Sequence, residues 1–102
     1  MRVKLRKCFE FTGKELFFQG HFPEAPILPG VMQLEFAHRA AEELTGRALT
    51  LSAVKKMKFM KVITPKDRVA VEVETLDGAK TLEISYRVLM GEDVCSSGVL
   101  VY

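Results

Sequence analysis

Two side chains able to move protons, the imidazole of His21 and the carboxyl of Glu35, stand fourteen residues apart, joined by Phe22-Pro23-Glu24-Ala25-Pro26-Ile27-Leu28-Pro29-Gly30-Val31-Met32-Gln33-Leu34. An imidazole with a pKa of about 6.5 takes up a proton at neutral pH, and a carboxyl delivers one when burial raises its pKa. The pair therefore offers one base and one acid, the minimum for moving a proton off one atom and onto another. A lone histidine in a loop is ordinarily incidental, so what holds these two groups decides their role.

Pro23, Pro26 and Pro29 fix φ and remove donors, which forbids regular helix or central strand between His21 and Glu35. The segment is a loop, yet Phe22, Ile27 and Leu28 make it apolar, and a rigid apolar loop in a small domain reads as a built site. Gly20 supplies a backbone free to take positive φ just before His21. Pro29-Gly30 then opens a helix, with proline suited to an early position that needs no N–H. From Val31 to Thr45 the apolar residues Val31, Met32, Leu34, Phe36, Ala37, Ala40, Ala41 and Leu44 exceed one amphipathic stripe, which predicts a helix wrapped on most sides. Gly46 is placed to end it.

The remaining elements read as sheet. Val3, Leu5, Phe9 and Phe11 alternate with polar or small residues as in a half-buried strand, and Leu16-Phe17-Phe18 forms a second short strand before the loop. Leu49 to Ile63 is a long strand candidate in which Met57, Phe59 and Ile63 share one parity, with Met57 and Phe59 expected in the core. Val69, Val71 and Val73 alternate with Glu72 and Glu74. Asp77-Gly78 signals a hairpin, Leu82, Ile84, Tyr86 and Val88 repeat the alternation, and Val94 to Tyr102 completes an antiparallel meander. One helix among such strands buries its apolar girth only if the sheet curls around it, an α+β arrangement in a single domain spanning 1–102. The sheet edges left open invite a second copy.

Composition narrows the function classes. The 102 residues carry 15 basic and 13 acidic side chains, a net charge of +2 that does not point to nucleic acid. No apolar run approaches the ~20 residues needed to span a bilayer, and the amino-terminal residues alternate charge with aliphatics, so a cytoplasmic protein without membrane partners is expected. Cys8 and Cys95 lack metal-ligand spacing and read as small buried hydrophobes.

Phe17-Phe18-Gln19-Gly20-His21-Phe22-Pro23, Pro26, Pro29-Gly30-Val31 and Glu35 together resemble the signature of the hotdog-fold 3-hydroxyacyl-(acyl-carrier-protein) dehydratases of the FabZ type. The likeness continues through Lys58-Phe59 and Thr64-Pro65-Lys66-Asp67 and covers nearly the whole chain. Two positions depart from the pattern: Arg39 stands where the family has glutamine, and Lys66 where it has glycine. The chain is also shorter than typical members, which suggests trimmed termini or a specialised branch, such as the small dehydratases of polyketide or aryl-polyene pathways. The resemblance implies a hotdog fold and a carbon–oxygen lyase that dehydrates (3R)-3-hydroxyacyl thioesters to trans-2-enoyl thioesters, with no metal or cofactor. It implies His21 and Glu35 as the catalytic base and acid, meeting across a homodimer or higher oligomer, and acyl carrier protein as the bearer of the substrate.

Within that reading, Phe22, Leu28, Pro29, Gly30, Val31 and Met32 are the candidate substrate-binding residues. The N–H groups of Gly30 and Val31, at a helix start, suit the charge that builds on a thioester oxygen. Arg39, four residues after Glu35, has the spacing of a helix ion pair that would lower the acid's pKa. His38 lies off the pattern and reads as a solvated or interface side chain. Lys55, Lys56, Lys58, Lys61, Lys66 and Arg68 fit either a solvated strand face or a docking surface for an acidic carrier. Two other readings stay open: a hotdog acyl thioesterase, and a non-catalytic acyl-binding or heterodimer subunit.

Overall fold

The computed structural model describes residues 3–10, 30–64, 68–76 and 80–102. Their elements run β1 (Lys4–Phe9), α1 (Gly30–Thr45), β2 (Ala53–Phe59), β3 (Val69–Thr75), β4 (Glu83–Met90) and β5 (Asp93–Val101). The expected strand at Leu16–Phe18, the Pro-rich loop and the Asp77-Gly78 turn lie outside the described residues.

The five strands form one antiparallel sheet in the order β1-β3-β4-β5-β2. The meander holds for β3, β4 and β5, but β2 corrects the sequence reading: it pairs with β5 at the far edge instead of with β3, its successor in the chain. It is also shorter than the expected span from Leu49 to Ile63. Lys56 takes φ 54°, and the β2–β5 register shifts between Lys55 and Lys58. This bulge locally breaks the two-residue period.

On β3 and β4 the alternation predicts burial correctly. Val69, Val71, Val73, Ile84, Tyr86 and Val88 all turn inward, joined by Leu100 from β5. Each such aliphatic side chain contributes about 1.5–3 kcal/mol relative to exposure. Helix α1 covers this inner face through Phe36, Ala37, Ala40 and Ala41. Three alanines without side-chain bulk let the helix backbone approach the strands closely, and Phe36 stacks on Phe9 of β1 with ring centroids 4.5 Å apart. The opposite sheet face is ionic, with Glu72 accepting bonds from Arg6 at 2.7 Å and from Arg87.

The helix is less enclosed than its composition predicts. Met32, Leu34 and Leu44 are only partly buried and Val31 keeps 71% of its surface, so one flank near the helix start is open. Its other end closes as expected: Gly46 takes φ 71° and donates its N–H to the Glu42 carbonyl at 2.8 Å. Cys95 is buried and Cys8 exposed, so only the first matches the expected buried hydrophobe. Position 8 falls on the outward parity of β1. Among the described residues no helix is long and apolar enough to cross a membrane.

Candidate active site

Of the candidate site residues, His21, Phe22, Leu28 and Pro29 lie outside the described residues. Gly30, Val31 and Met32 form the first turn of α1, and Glu35 follows one turn later. No acidic side chain stands in that first turn, so the leading N–H groups, which have no acceptor within the helix, are not neutralised from within it. Phe59 determines what fits at the helix start. A Cβ at position 30 would stand 2.8 Å from Cζ of the Phe59 ring, so any residue other than glycine pushes the ring away.

That contact also explains why Phe59 is not in the core. β2 is an edge strand with the bulge at Lys56, and its Phe59 lies over the helix start, keeping 52% of its surface. Met57 is likewise 49% exposed, so the expectation that both are core residues is overturned. Met60 and Val62 extend the apolar strip beyond the strand.

Glu35 projects from the open flank of α1. It lines a cleft of about 250 Å³ with Val31, Leu34, His38 and Leu51. The Arg39 guanidinium reaches its Oε1 at 3.3 Å, so the pair expected from the spacing forms. Both side chains are about half exposed, which limits the pair to a few tenths of a kcal/mol. The burial expected around Glu35 is not supplied by the described residues of this chain.

His38, expected as a solvated or interface side chain, is mostly enclosed, so the solvated alternative does not hold. Its Nδ1 lies 2.7 Å from the Tyr102 hydroxyl, and its Nε2 lies 3.6 Å from Oε2 of Glu42. The i,i+4 spacing to Glu42 is visible in the sequence, whereas Tyr102, 64 positions away, carries no local signal. Phe59 is the other site residue that periodicity misassigned, for the reason given above. Among the described residues no group of His, Cys, Asp and Glu is arranged to hold a metal ion.

One helix packed on a curled five-stranded antiparallel sheet, with ionisable groups on the open helix flank, defines a hotdog-fold protein. The solved dehydratase heterocomplex ApeI:P from Xenorhabdus doucetiae superposes with a TM-score of 0.79 over 99% of this chain and 92% of that one, at 21% identity, which supports the fold. Residues 3–99 match the ApeI-like (ApeI dehydratase) family model, and the chain belongs to that family. Relatives named 3-hydroxyacyl-(acyl-carrier-protein) dehydratase FabZ include one from Clostridium kluyveri, 39% identical over 64% of this chain and 50% of the relative. Another, from Levilactobacillus brevis, is 34% identical over 89% of this chain and 67% of the relative. The match thus spans half the length of the C. kluyveri protein.

Proposed function

We propose that this chain, as a single domain over 1–102, dehydrates (3R)-3-hydroxyacyl thioesters carried on acyl carrier protein to trans-2-enoyl thioesters, as a cytoplasmic homodimer. The observation that carries the reading is the placement of Glu35 one turn after a helix start whose first turn holds no acidic side chain, on an open cleft, in a member of a dehydratase family. His21 of one copy takes the proton from C2, and the electron pair is drawn toward the thioester oxygen, which accepts from the Gly30 and Val31 N–H groups. The C2–C3 double bond then forms as the C3–O bond breaks, and Glu35 of the other copy gives its proton to the departing oxygen, releasing water. Phe22, Leu28, Pro29 and Met32 line the acyl path.

The exposed strip of Met57, Phe59, Met60 and Val62 on the β2 edge supports a second copy as its cover. That copy would also desolvate Glu35 and hold its proton in place against Arg39. Of the basic residues, Lys55, Lys61 and Arg68 are paired with Glu83, Asp93 and Glu10. A concavity of about 610 Å³ on the outer sheet face is lined by Lys56 and Lys58 together with Lys4, Arg6 and Arg87, the last three ion-paired there with Glu72 and Glu74, so Lys56 and Lys58 supply the charge offered to an acidic carrier.

The Arg39–Glu35 contact favours one second reading, a non-catalytic acyl-binding subunit whose partner supplies the chemistry. Mass spectrometry of a 3-hydroxyacyl carrier protein incubated with the purified chain tests both. Loss of one water is the expected result. An unchanged acyl carrier supports the second reading, and a bare carrier thiol would overturn both in favour of a thioesterase.

A further inference from the structure

Two buried polar atoms, Oε1 of Gln33 and Oγ of Ser96, have no hydrogen-bonding partner among the described residues. Gln33 keeps 4% of its surface and Ser96 none, and they are the polar members of an otherwise apolar core. A buried oxygen without a donor costs stability, and a methionine or an alanine of nearly the same shape would avoid that cost. A ligand that brings the hydrogen bonds removes it as well.

Both residues border Phe59. Ser96 of β5 is the cross-strand partner of Phe59 on one side and of Val88 on the other, and Val88 pairs in turn with Val71. Residues paired in this way share a face, so the Ser96 hydroxyl interrupts a hydrocarbon row on the inner side of the sheet. Gln33 belongs to the buried side of α1 with Phe36, Ala37 and Ala40. It stands one turn after Gly30, where the Phe59 ring closes on the helix, and helical side chains lean back toward the helix start. Tyr86 adds a third polar group on the same sheet face. Its ring lies across Gly98, two positions along β5 from Ser96, where a Cβ would stand 2.9 Å from the phenol oxygen. Burial pushes that hydroxyl up, so it keeps its proton and can donate.

The dehydration scheme uses none of these three groups. It sets the thioester oxygen on the Gly30 and Val31 N–H groups, and an acyl chain running inward from there passes Gln33 within one turn. The 3-hydroxyl is taken by Glu35, so Gln33 and Ser96 meet a later part of the chain. A methylene there would leave both oxygens without a partner. A hydroxyl donates one hydrogen bond and accepts others, which matches the acceptor of Gln33 and the O–H donors of Ser96 and Tyr86.

We propose that Gln33 and Ser96 are specificity-determining residues that hold a hydroxyl carried by the acyl chain beyond C3, so that the preferred substrate is a 3-hydroxyacyl thioester with a second, more distant hydroxyl. This deepens the dehydratase reading given above and rests on it. A site built to bond a hydroxyl rejects the chain that lacks it, because binding the plain chain buries polar groups unpaired.

The test compares 3-hydroxyoctanoyl carrier protein with its counterparts bearing one further hydroxyl at C5, C6, C7 or C8. At least one of the four should be dehydrated with a kcat/KM about tenfold or more above that of the plain chain. In Gln33→Met that advantage falls by about twofold to tenfold, and Ser96→Ala removes a similar factor. The ratio of two substrates on one enzyme is independent of how much of a variant folds, so a destabilised variant still reports. Gln33→Met should also melt no lower than the native chain, since it replaces an unpartnered buried amide by an apolar side chain. The inference is overturned if no hydroxylated chain is preferred, or if the preference is the same in both variants and the native chain. A lower melting temperature of Gln33→Met with an unchanged substrate ratio would assign Gln33 to the fold alone and overturn it too. Calorimetric binding of octanoyl-pantetheine against the same four hydroxylated octanoyl-pantetheines reads the preference without turnover. A hydroxyl preference in binding, in a chain that releases no water from any substrate, would uphold the site while the dehydratase reading falls.

Discussion

Val71, Ile84, Val88 and Leu100 on β3, β4 and β5 expose no surface, whereas Met57, Phe59, Met60 and Val62 on and after β2 keep about half of theirs. Both sets are apolar and both belong to the same sheet. They differ in what lies opposite: the inner face of β3–β5 meets α1, while β2 turns past the helix at the Lys56 bulge and meets only the start of α1 through Phe59. The first region completes its core within one chain. The second leaves apolar surface, a helix start with no acidic side chain in its first turn and the half-exposed Glu35, which is where a partner copy and a substrate would add burial.

The comparison makes separate demands on activity and stability. Glu35→Gln and His21→Ala should each lower dehydration by roughly 10²–10⁴-fold while leaving the melting temperature nearly unchanged, checked by enoyl formation and calorimetry on the same samples. Leu100→Ala should do the reverse, costing about 2–5 kcal/mol in denaturant unfolding because it opens a cavity behind the helix. Met57→Lys together with Phe59→Ser tests the open edge. It should shift the protein to monomer in analytical ultracentrifugation with about 1 kcal/mol or less lost from the fold itself, and a loss as large as that of Leu100→Ala would erase the distinction between the regions.

The outer face gives the smallest effect and a pH signature. Glu72 is held below the usual carboxylate range, first by its bond to Arg6 and then by Arg87, so its contribution is present above the unfolded-state pKa and is lost as pH falls through the folded value. Glu72→Gln should therefore melt slightly lower than the native chain at pH 7, and the two should converge on acidification below about pH 4. Tyr102 has the opposite sign. Its hydroxyl, raised to about 12, stabilises the fold below the unfolded value of about 10 and loses that contribution as pH rises toward 12. Tyr102→Phe should flatten the alkaline decline in stability.

The same contrast explains what could be read from sequence. Alternation found β3 and β4 because every second residue there meets the helix, and the apolar content of 30–45 with Gly46 behind it bounded α1. The Arg39–Glu35 pair followed from helical spacing alone. On β2 the parity separates Phe59, over the helix start, from Lys56 and Lys58 on the outer face, but the exposure of Met57 and Phe59 could not be read, because it follows from the strand's place at the sheet edge beside β5, which depends on long-range pairing. The enclosure of His38, expected as a solvated or interface side chain, could not be read for a related reason: its partner Tyr102 lies 64 positions away in the chain. The fold was thus legible where burial is local, and the cleft only where its contacts run along one helix.

The central claim, that the open region is completed by a second copy, is tested most directly by mixing His21→Ala chains with Glu35→Gln chains and measuring dehydration of a 3-hydroxyacyl carrier protein. Each variant alone should be inactive. After subunit exchange, hybrid dimers hold one site with both native groups, and activity should return to roughly a quarter of that of the native protein. Hybrids that form yet remain inactive would contradict the account.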